Sequence, residues 1–222
     1  MRTFFIHAVA DADVKLTAEA IKKLPKRIGI VTNIQHLDKV QEIKKQLPDA
    51  IICGQVLGCR ADSAVRNAND VDAFLFIGGG VFHPLFTAIK TGKEVFCWSP
   101  VDKLLTKISK SQVDDYKKNK QRQLKIFYGA KKVGILISTK QGQSDNKINS
   151  PSIQLKMKGP IEFSKRKDKE YFLFACDTLQ LGELENFPFI DCWINTACSR
   201  IADEKLKIVN IDDILEFEAK KE

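Results

Sequence analysis

The chain has 222 residues, 44% of them hydrophobic and 29% charged, with a formal net charge of +8. That is ample core for one large domain or two small ones, and the balance is ordinary for a soluble globular protein. No uncharged apolar run approaches the roughly 18–20 residues of a membrane span, and the opening Met1–Asp13 reads as a first strand, not a signal peptide, so a cytoplasmic protein is expected.

Short β-branched or aromatic runs alternate with amphipathic Lys/Glu-rich segments along the chain, the pattern of strand–helix–strand units around a parallel sheet. Strands are expected at 3–8, 27–31, 50–53, 73–77 and 94–98, with helices at 16–23, 37–46, 62–67 and 85–91 between them. After Pro100 a long helix is expected over 111–128. Strands at 132–137, 171–175 and 192–195 follow, with helices near 179–185 and 211–219. The segment 144–168, rich in Lys, Ser, Asn, Gly and Pro, reads as a loop.

An internal echo divides the chain. Lys26-Arg-Ile-Gly-Ile-Val-Thr-Asn resembles Lys131-Lys-Val-Gly-Ile-Leu-Ile-Ser, and Asp72-Ala-Phe-Leu-Phe-Ile-Gly-Gly-Gly resembles Asp191-Cys-Trp-Ile-Asn-Thr-Ala-Cys. Two related three-layer α/β domains with mainly parallel sheets, 1–101 and 102–222, are the simplest account.

The positive charge lies mainly in Lys117–Lys132 and Lys156–Lys169. Such runs are either solvated faces or a means of attracting an acidic partner. No aromatic residues interleave with them as a stacking platform requires, so no direct nucleic-acid binding is expected.

Six cysteines, at 53, 59, 97, 176, 192 and 198, include no CxxC pair. In a reducing compartment they serve core packing or metal ligation, and any metal site must be assembled from distant segments. Cys97 and Cys192 fall in or beside apolar runs and read as small core residues. Cys53 and Cys176 sit at strand ends and are ambiguous. Cys59 and Cys198 each lie in a small-residue loop just past an apolar run, where a thiolate can reach a ligand.

Ligands of parallel α/β sheets sit at the carboxyl ends of strands. The loops expected there are 32–36, 54–59, 78–84, 138–143 and 195–200, rich in Gly, Ser, Thr and Asn. Gly78–Gly80 lacks the spacing of a dinucleotide fingerprint; a tight turn and a ligand loop both remain open. His83, before Pro84, reads as a helix-start residue more than a ligand. His36 suits a polar contact or a helix start equally.

Ile30-Val-Thr-Asn-Ile-Gln-His-Leu37, Gly54-Gln-Val-Leu-Gly-Cys59 and Asp72-Ala-Phe-Leu-Phe-Ile-Gly-Gly-Gly-Val-Phe-His-Pro84 resemble the second domain of the diphthamide-synthase family. Lys132-Val-Gly-Ile-Leu-Ile-Ser-Thr-Lys-Gln-Gly-Gln143 and Trp193-Ile-Asn-Thr-Ala-Cys-Ser-Arg-Ile-Ala202 resemble its third. The motifs are collinear over nearly the whole chain. The resemblance implies three related α/β domains around a central cavity, each offering one cysteine to a single 4Fe–4S cluster. S-adenosyl-L-methionine binds the open iron of that cluster. A 3-amino-3-carboxypropyl radical then adds to the imidazole of one histidine of translation elongation factor 2, the first step of diphthamide synthesis. Soft thiolates suit such a cluster. Carried over, Cys59 and Cys198 are metal ligands, and Gln35, Gly78, Gly79, Gly80, Ser138 and Gln143 lie in cofactor-binding loops; no catalytic side chain is assigned.

There are departures from the family pattern. The chain begins where the family's second domain begins, Val81 replaces an Arg, and Ser199 replaces a proline. A third cluster ligand is therefore expected from a separate first-domain protein, from a homo- or heterodimer partner, or least favourably from Cys176 or Cys53. An electron donor is also implied. The alternative is a non-catalytic companion that scaffolds a catalytic paralogue or helps reduce it. A distant third reading is an α/β enzyme acting on a phosphorylated metabolite.

Overall fold

The computed structural model describes residues 4, 6–58, 60–139, 169–203 and 206–220. The chain forms two compact units, Met1–Asp115 and Tyr116–Glu222. Among the described residues no helix is long and apolar enough to cross a membrane.

The first unit holds β1 (Ile28–Thr32), β2 (Ile51–Gln55), β3 (Ala73–Ile77), β4 (Glu94–Ser99) and β5 (Leu104–Lys107) in the order β2-β1-β3-β4-β5. All pairs are parallel except β4–β5. Every residue of β1 and β3 is buried, as continuous apolar runs must be when both faces of a parallel sheet are covered. Alternate side chains go to opposite cores. Ile28, Ile30, Leu75 and Ile77 pack with Ala20 of α1 (Ala18–Lys23) and Ile43 of α2 (Val40–Gln46). Val31, Phe74 and Phe76 pack with Ala64 of α3 (Asp62–Arg66) and Ala88 of α4 (Phe82–Thr91). A 3-10 turn at Ile34–Lys39 precedes α2, so the helix expected from residue 37 starts later.

The long helix α5 (Lys110–Gly129) leads into β6 (Lys132–Ser138), β7 (Glu170–Cys176), β8 (Cys192–Asn195) and β9 (Ile208–Asn210). These are all parallel, in the order β7-β6-β8-β9. Leu124 and Phe127 of α5 and Ile214 of α6 (Ile211–Glu218) cover one face. The other face packs Leu136 and Trp193 against Ile190 and Ala202, with 3-10 turns at Leu181–Asn186 and Ser199–Asp203 in place of full helices. Layers on both sides of two mainly parallel sheets make this an α/β fold.

Apart from the added β5, the two sheets share one order: second strand, first, third, fourth. The echo seen in the sequence occupies matching places. Gly29 lies opposite Phe74 in the β1–β3 register, and Gly134 opposite Trp193 in β6–β8. In each pair the aromatic ring lies over the glycine. A Cβ on Gly29 would stand 2.7 Å from Phe74 Cδ1, and one on Gly134 would fall inside the van der Waals envelope of the Trp193 ring. The acids match as well. Asp72 N–H donates to the Arg27 carbonyl at 2.8 Å, and Asp191 N–H to that of Lys132 at 2.9 Å. The carboxylates then diverge. That of Asp72 pairs with the Arg27 guanidinium. That of Asp191 accepts the backbone N–H groups of Lys132 (2.8 Å) and Lys131 (3.0 Å), which hold its pKa below the ordinary value.

Several sequence expectations need correction. The described residues within 3–8 form no strand; Phe4 and Ile6 are 85% and 92% exposed. Leu104–Lys107 extends the first sheet by antiparallel pairing, so the units divide at Asp115/Tyr116 and not at residue 101. Strand β9 has no counterpart among the expected elements, and the segment 144–168 lies outside the described residues.

Candidate functional site

At the carboxyl end of the first sheet, β1 runs into Asn33-Ile-Gln-His36. Asn33 Oδ1 accepts the Gln35 N–H at 3.1 Å, and its amide donates to Gln35 Oε1 at 3.0 Å. The Gln35 carbonyl accepts from Ala10 N–H at 2.9 Å, which fixes the backbone while the side chain stays exposed. The next strand, β3, ends in the glycine loop. Gly78 (φ 144°) and Gly80 (φ 77°) occupy backbone regions that other residues adopt only with strain. Gly78 N–H donates to the Trp98 carbonyl at 3.0 Å, and a Cβ there would meet Asn33 Nδ2 at 3.3 Å. Gly79 and Gly80 are exposed, with open space where a Cβ would project. Gln35 and Gly78–Gly80 are therefore neighbours through Asn33.

The loop after β2 is tethered on both sides of position 59. Val56 N–H donates to the Thr32 carbonyl at 2.8 Å. Leu57 and Arg60 exchange backbone hydrogen bonds of 2.8 and 3.3 Å. Buried Gly58 lies against the ring of Phe82, the first residue of α4, at a distance no other residue allows. Cys59 itself lies outside the described residues, as does Gln143.

His36 and His83 are both packed into the first unit. His83 is half-buried in the first turn of α4, its ring 6.0 Å from that of Phe76 and 5.7 Å from that of Phe82. His36 is buried with no hydrogen-bond partner at Nδ1 among the described residues, and burial pushes its pKa down despite nearby Asp38, so the neutral ring is favoured.

In the second sheet, buried Ser138 ends β6 opposite Cys176 of β7, with its hydroxyl 3.5 Å from the Asp177 carbonyl. Beside it, β8 runs into Thr196-Ala-Cys198. Thr196 Oγ1 donates to the Leu136 carbonyl at 2.6 Å. Asn195 accepts the Ala197 N–H at 3.0 Å and donates to the Cys198 carbonyl at 2.8 Å. Ser138 thus ends β6, and Cys198 follows the adjacent β8, both on the carboxyl side of the sheet.

Among the described cysteines only Cys198 is exposed. Burial pushes the thiol of Cys53 up to about 11 and those of Cys97 and Cys192 up to about 12. Burial, then Glu183 and Asp177, also raise Cys176. At pH 8 a thiol of pKa about 12 is ionised in roughly one molecule in ten thousand. Iodoacetamide is therefore expected to label Cys198 at least about 100-fold faster than Cys97 or Cys192 in the metal-free chain, read peptide by peptide by mass spectrometry. Equal rates would contradict this assignment.

Among the described residues no group of three or more His, Cys, Asp or Glu stands together as a metal site. Cys198 offers what an iron–sulfur cluster takes from a protein, an exposed soft sulfur on a fixed backbone. Two residues of consequence are not legible in the sequence. Asn195 stands out there only as part of a loop, and Asn210 lies in β9, which no pattern marks.

Among the described residues these features define a class: an α/β protein with mainly parallel sheets covered on both faces, glycine- and asparagine-containing loops at the strand carboxyl ends, and an exposed thiol in one of those loops. The family described as "Putative diphthamide synthesis protein" matches residues 1–207, and the chain belongs to that family. It is 30% identical over 191 residues to the 2-(3-amino-3-carboxypropyl)histidine synthase of Methanocaldococcus jannaschii, covering 85% of this chain and 49% of that protein. It is also 30% identical over 218 residues to the synthase of the same name from Pyrococcus horikoshii, covering 90% and 59%. The crystal structure of Dph2 from Pyrococcus horikoshii with 4Fe-4S cluster superimposes with a TM-score of 0.70 at 27% identity, over 88% of this chain and 58% of that one. The chain therefore spans about half of the length of these related proteins.

Proposed function

We propose that this chain is part of a cytoplasmic 3-amino-3-carboxypropyl transferase that modifies a histidine of translation elongation factor 2, the first step of diphthamide synthesis. In this reading Cys59 and Cys198 bind a 4Fe–4S cluster, and the third thiolate comes from a separate protein or a paralogous subunit. S-adenosyl-L-methionine is the group donor, and an external electron donor reduces the site. When bound, the cluster supplies the reductive carbon–sulfur cleavage that side chains cannot perform. The chain's own residues hold and orient. The glycine loop and Gln35 offer backbone and amide groups to the donor substrate in the first unit, and Ser138 and Gln143 do so in the second.

The observation that carries this reading is Cys198: an exposed thiol, in the family's motif, on a loop held by hydrogen bonds at a strand carboxyl end. Anaerobic reconstitution with iron and sulfide, with the chain alone and with a full-length related synthase subunit, tests it. A brown protein with a broad charge-transfer band is expected, with the band lost in Cys59→Ala and in Cys198→Ala but kept in Cys97→Ala. A chain that stays colourless with every partner sinks the reading. If such a chain still supports transfer by the related subunit, it is a companion that scaffolds catalysis.

A further inference from the structure

The second sheet buries a polar pair where the first buries an apolar one. Two residues beyond Phe74, which faces Gly29, lies Phe76, paired in register with Cys97. Two residues beyond Trp193, which faces Gly134, lies Asn195, paired with Asn210. Asn195 and Asn210 are 1% and 7% exposed. Buried amides are costly unless every donor and acceptor finds a partner.

Their hydrogen bonds converge on one loop. Asn195 Nδ2 donates to the Cys198 carbonyl at 2.8 Å and to Asn210 Oδ1 at 2.7 Å, while Asn195 Oδ1 accepts the Ala197 N–H at 3.0 Å. Asn210 Nδ2 donates to the Ser199 carbonyl at 3.1 Å and stands 3.5 Å from Asp213 Oδ2. The other Asp213 oxygen pairs with Lys120 Nζ at 2.7 Å. Residues 197, 198 and 199 are thus gripped in succession by side chains of two strands, and an ion pair to α5 backs the grip. Sheet packing alone does not require this, because Phe76 and Cys97 fill the matching place in the first sheet without polar groups.

We propose that Asn195 and Asn210 are positioning residues for Cys198, clamping the loop so that its thiol is presented as a preset metal ligand. The inference rests on the proposed function, in which Cys198 is a cluster ligand. Supporting groups behind a ligand fix its orientation and tune metal affinity.

The test is the full chain carrying Asn195→Leu and Asn210→Leu. Leucine keeps most of the volume of each amide but leaves the Ala197 N–H and the Cys198 and Ser199 carbonyls to find water, so a thermal midpoint roughly 5–15 °C below wild type is expected, with the chain still folded at the temperature of measurement. In the metal-free chain, amide exchange at Ala197 is expected to rise at least about tenfold as the loop opens to water. After anaerobic reconstitution, iron per chain is expected to fall at least about threefold, with altered g-values in the electron paramagnetic resonance spectrum of the reduced cluster. Unchanged exchange overturns the clamp. Faster exchange with wild-type iron content and spectrum overturns its service to the thiol. A wild-type chain that takes up no iron with any partner instead defeats the proposed function, and the ligand half of this inference with it. Should the double variant melt before measurement, Asn210→Ala, which frees the Ser199 carbonyl, takes its place. Exchange and iron content are then measured in the same way, and unchanged values overturn the same two claims.

Discussion

Gly134→Ala is expected to destabilise the second unit by about 3 kcal/mol, the upper part of the range for overpacked cores. The methyl group would enter the space of the Trp193 ring at Cε3 and Cζ3. Trp193 is 6% exposed, and its ring lies 4.8 Å from that of Phe174 and 6.1 Å from that of Phe187, so these rings resist its displacement. For a unit of this size the thermal midpoint should fall by roughly 10–20 °C. Gly29→Ala, at the matching place in the first sheet, is expected to cost less, about 1–2 kcal/mol, because the nearest Phe74 and Cys53 atoms are 2.7 and 3.0 Å away. Adding Trp193→Leu to Gly134→Ala should recover part of the loss. Near-ultraviolet circular dichroism and calorimetry would follow both, and an unchanged midpoint in Gly134→Ala would refute the proposed clash.

The same glycines show what a sequence discloses. The Lys-Arg-Ile-Gly and Lys-Lys-Val-Gly copies are legible because a strand buried on both faces is a continuous apolar run, and because a repeated motif needs no knowledge of what it contacts. The order β2-β1-β3-β4 against β7-β6-β8-β9 gives that echo its structural meaning. Strand β5 is not legible. Leu104-Leu-Thr-Lys is short and mostly exposed at a sheet edge, where burial imposes no alternation. Strand β9 is three residues long, too short to carry any period. The start of the chain misleads in the opposite sense: Phe4 and Ile6 look like part of a strand yet stay exposed, since an apolar run cannot specify its partner.

The candidate site divides in the same way. Thiol chemistry is legible where burial decides it, since Cys97 and Cys192 are core residues with strongly raised pKa values. What holds Cys198 is not. Asn195 and Asn210 are fifteen positions apart in sequence, and only the β8–β9 register brings them together. The common frame also shows that the units place their candidate thiols differently. Cys198 follows the third strand of its sheet, where the first unit has Gly79, whereas position 59 follows the second strand. The two units share a strand order and differ in the loops that follow it.

Gly58 turns that difference into a strong functional expectation. It is not glycine for its backbone angles, since its φ is not positive; it is glycine because the Phe82 ring occupies the place of its Cβ. A methyl group there must displace the ring or lift the loop. The loop is tied to β1 through Val56 and closed by the Leu57–Arg60 pair, and Phe82 opens α4 directly after the glycine loop, so either movement disturbs a candidate ligand segment. Gly58→Ala is expected to lower iron retained after reconstitution by about tenfold while costing only about 1–2 kcal/mol of stability. The companion Phe82→Ala removes the obstacle. In Gly58→Ala/Phe82→Ala the methyl group fits in the vacated volume, and iron retention should return toward that of Phe82→Ala alone, the non-additivity expected of touching residues. Wild-type iron retention in Gly58→Ala would show that the Phe82 contact is packing without consequence for position 59. A double variant no better than Gly58→Ala would show that the damage travels by a route other than the ring.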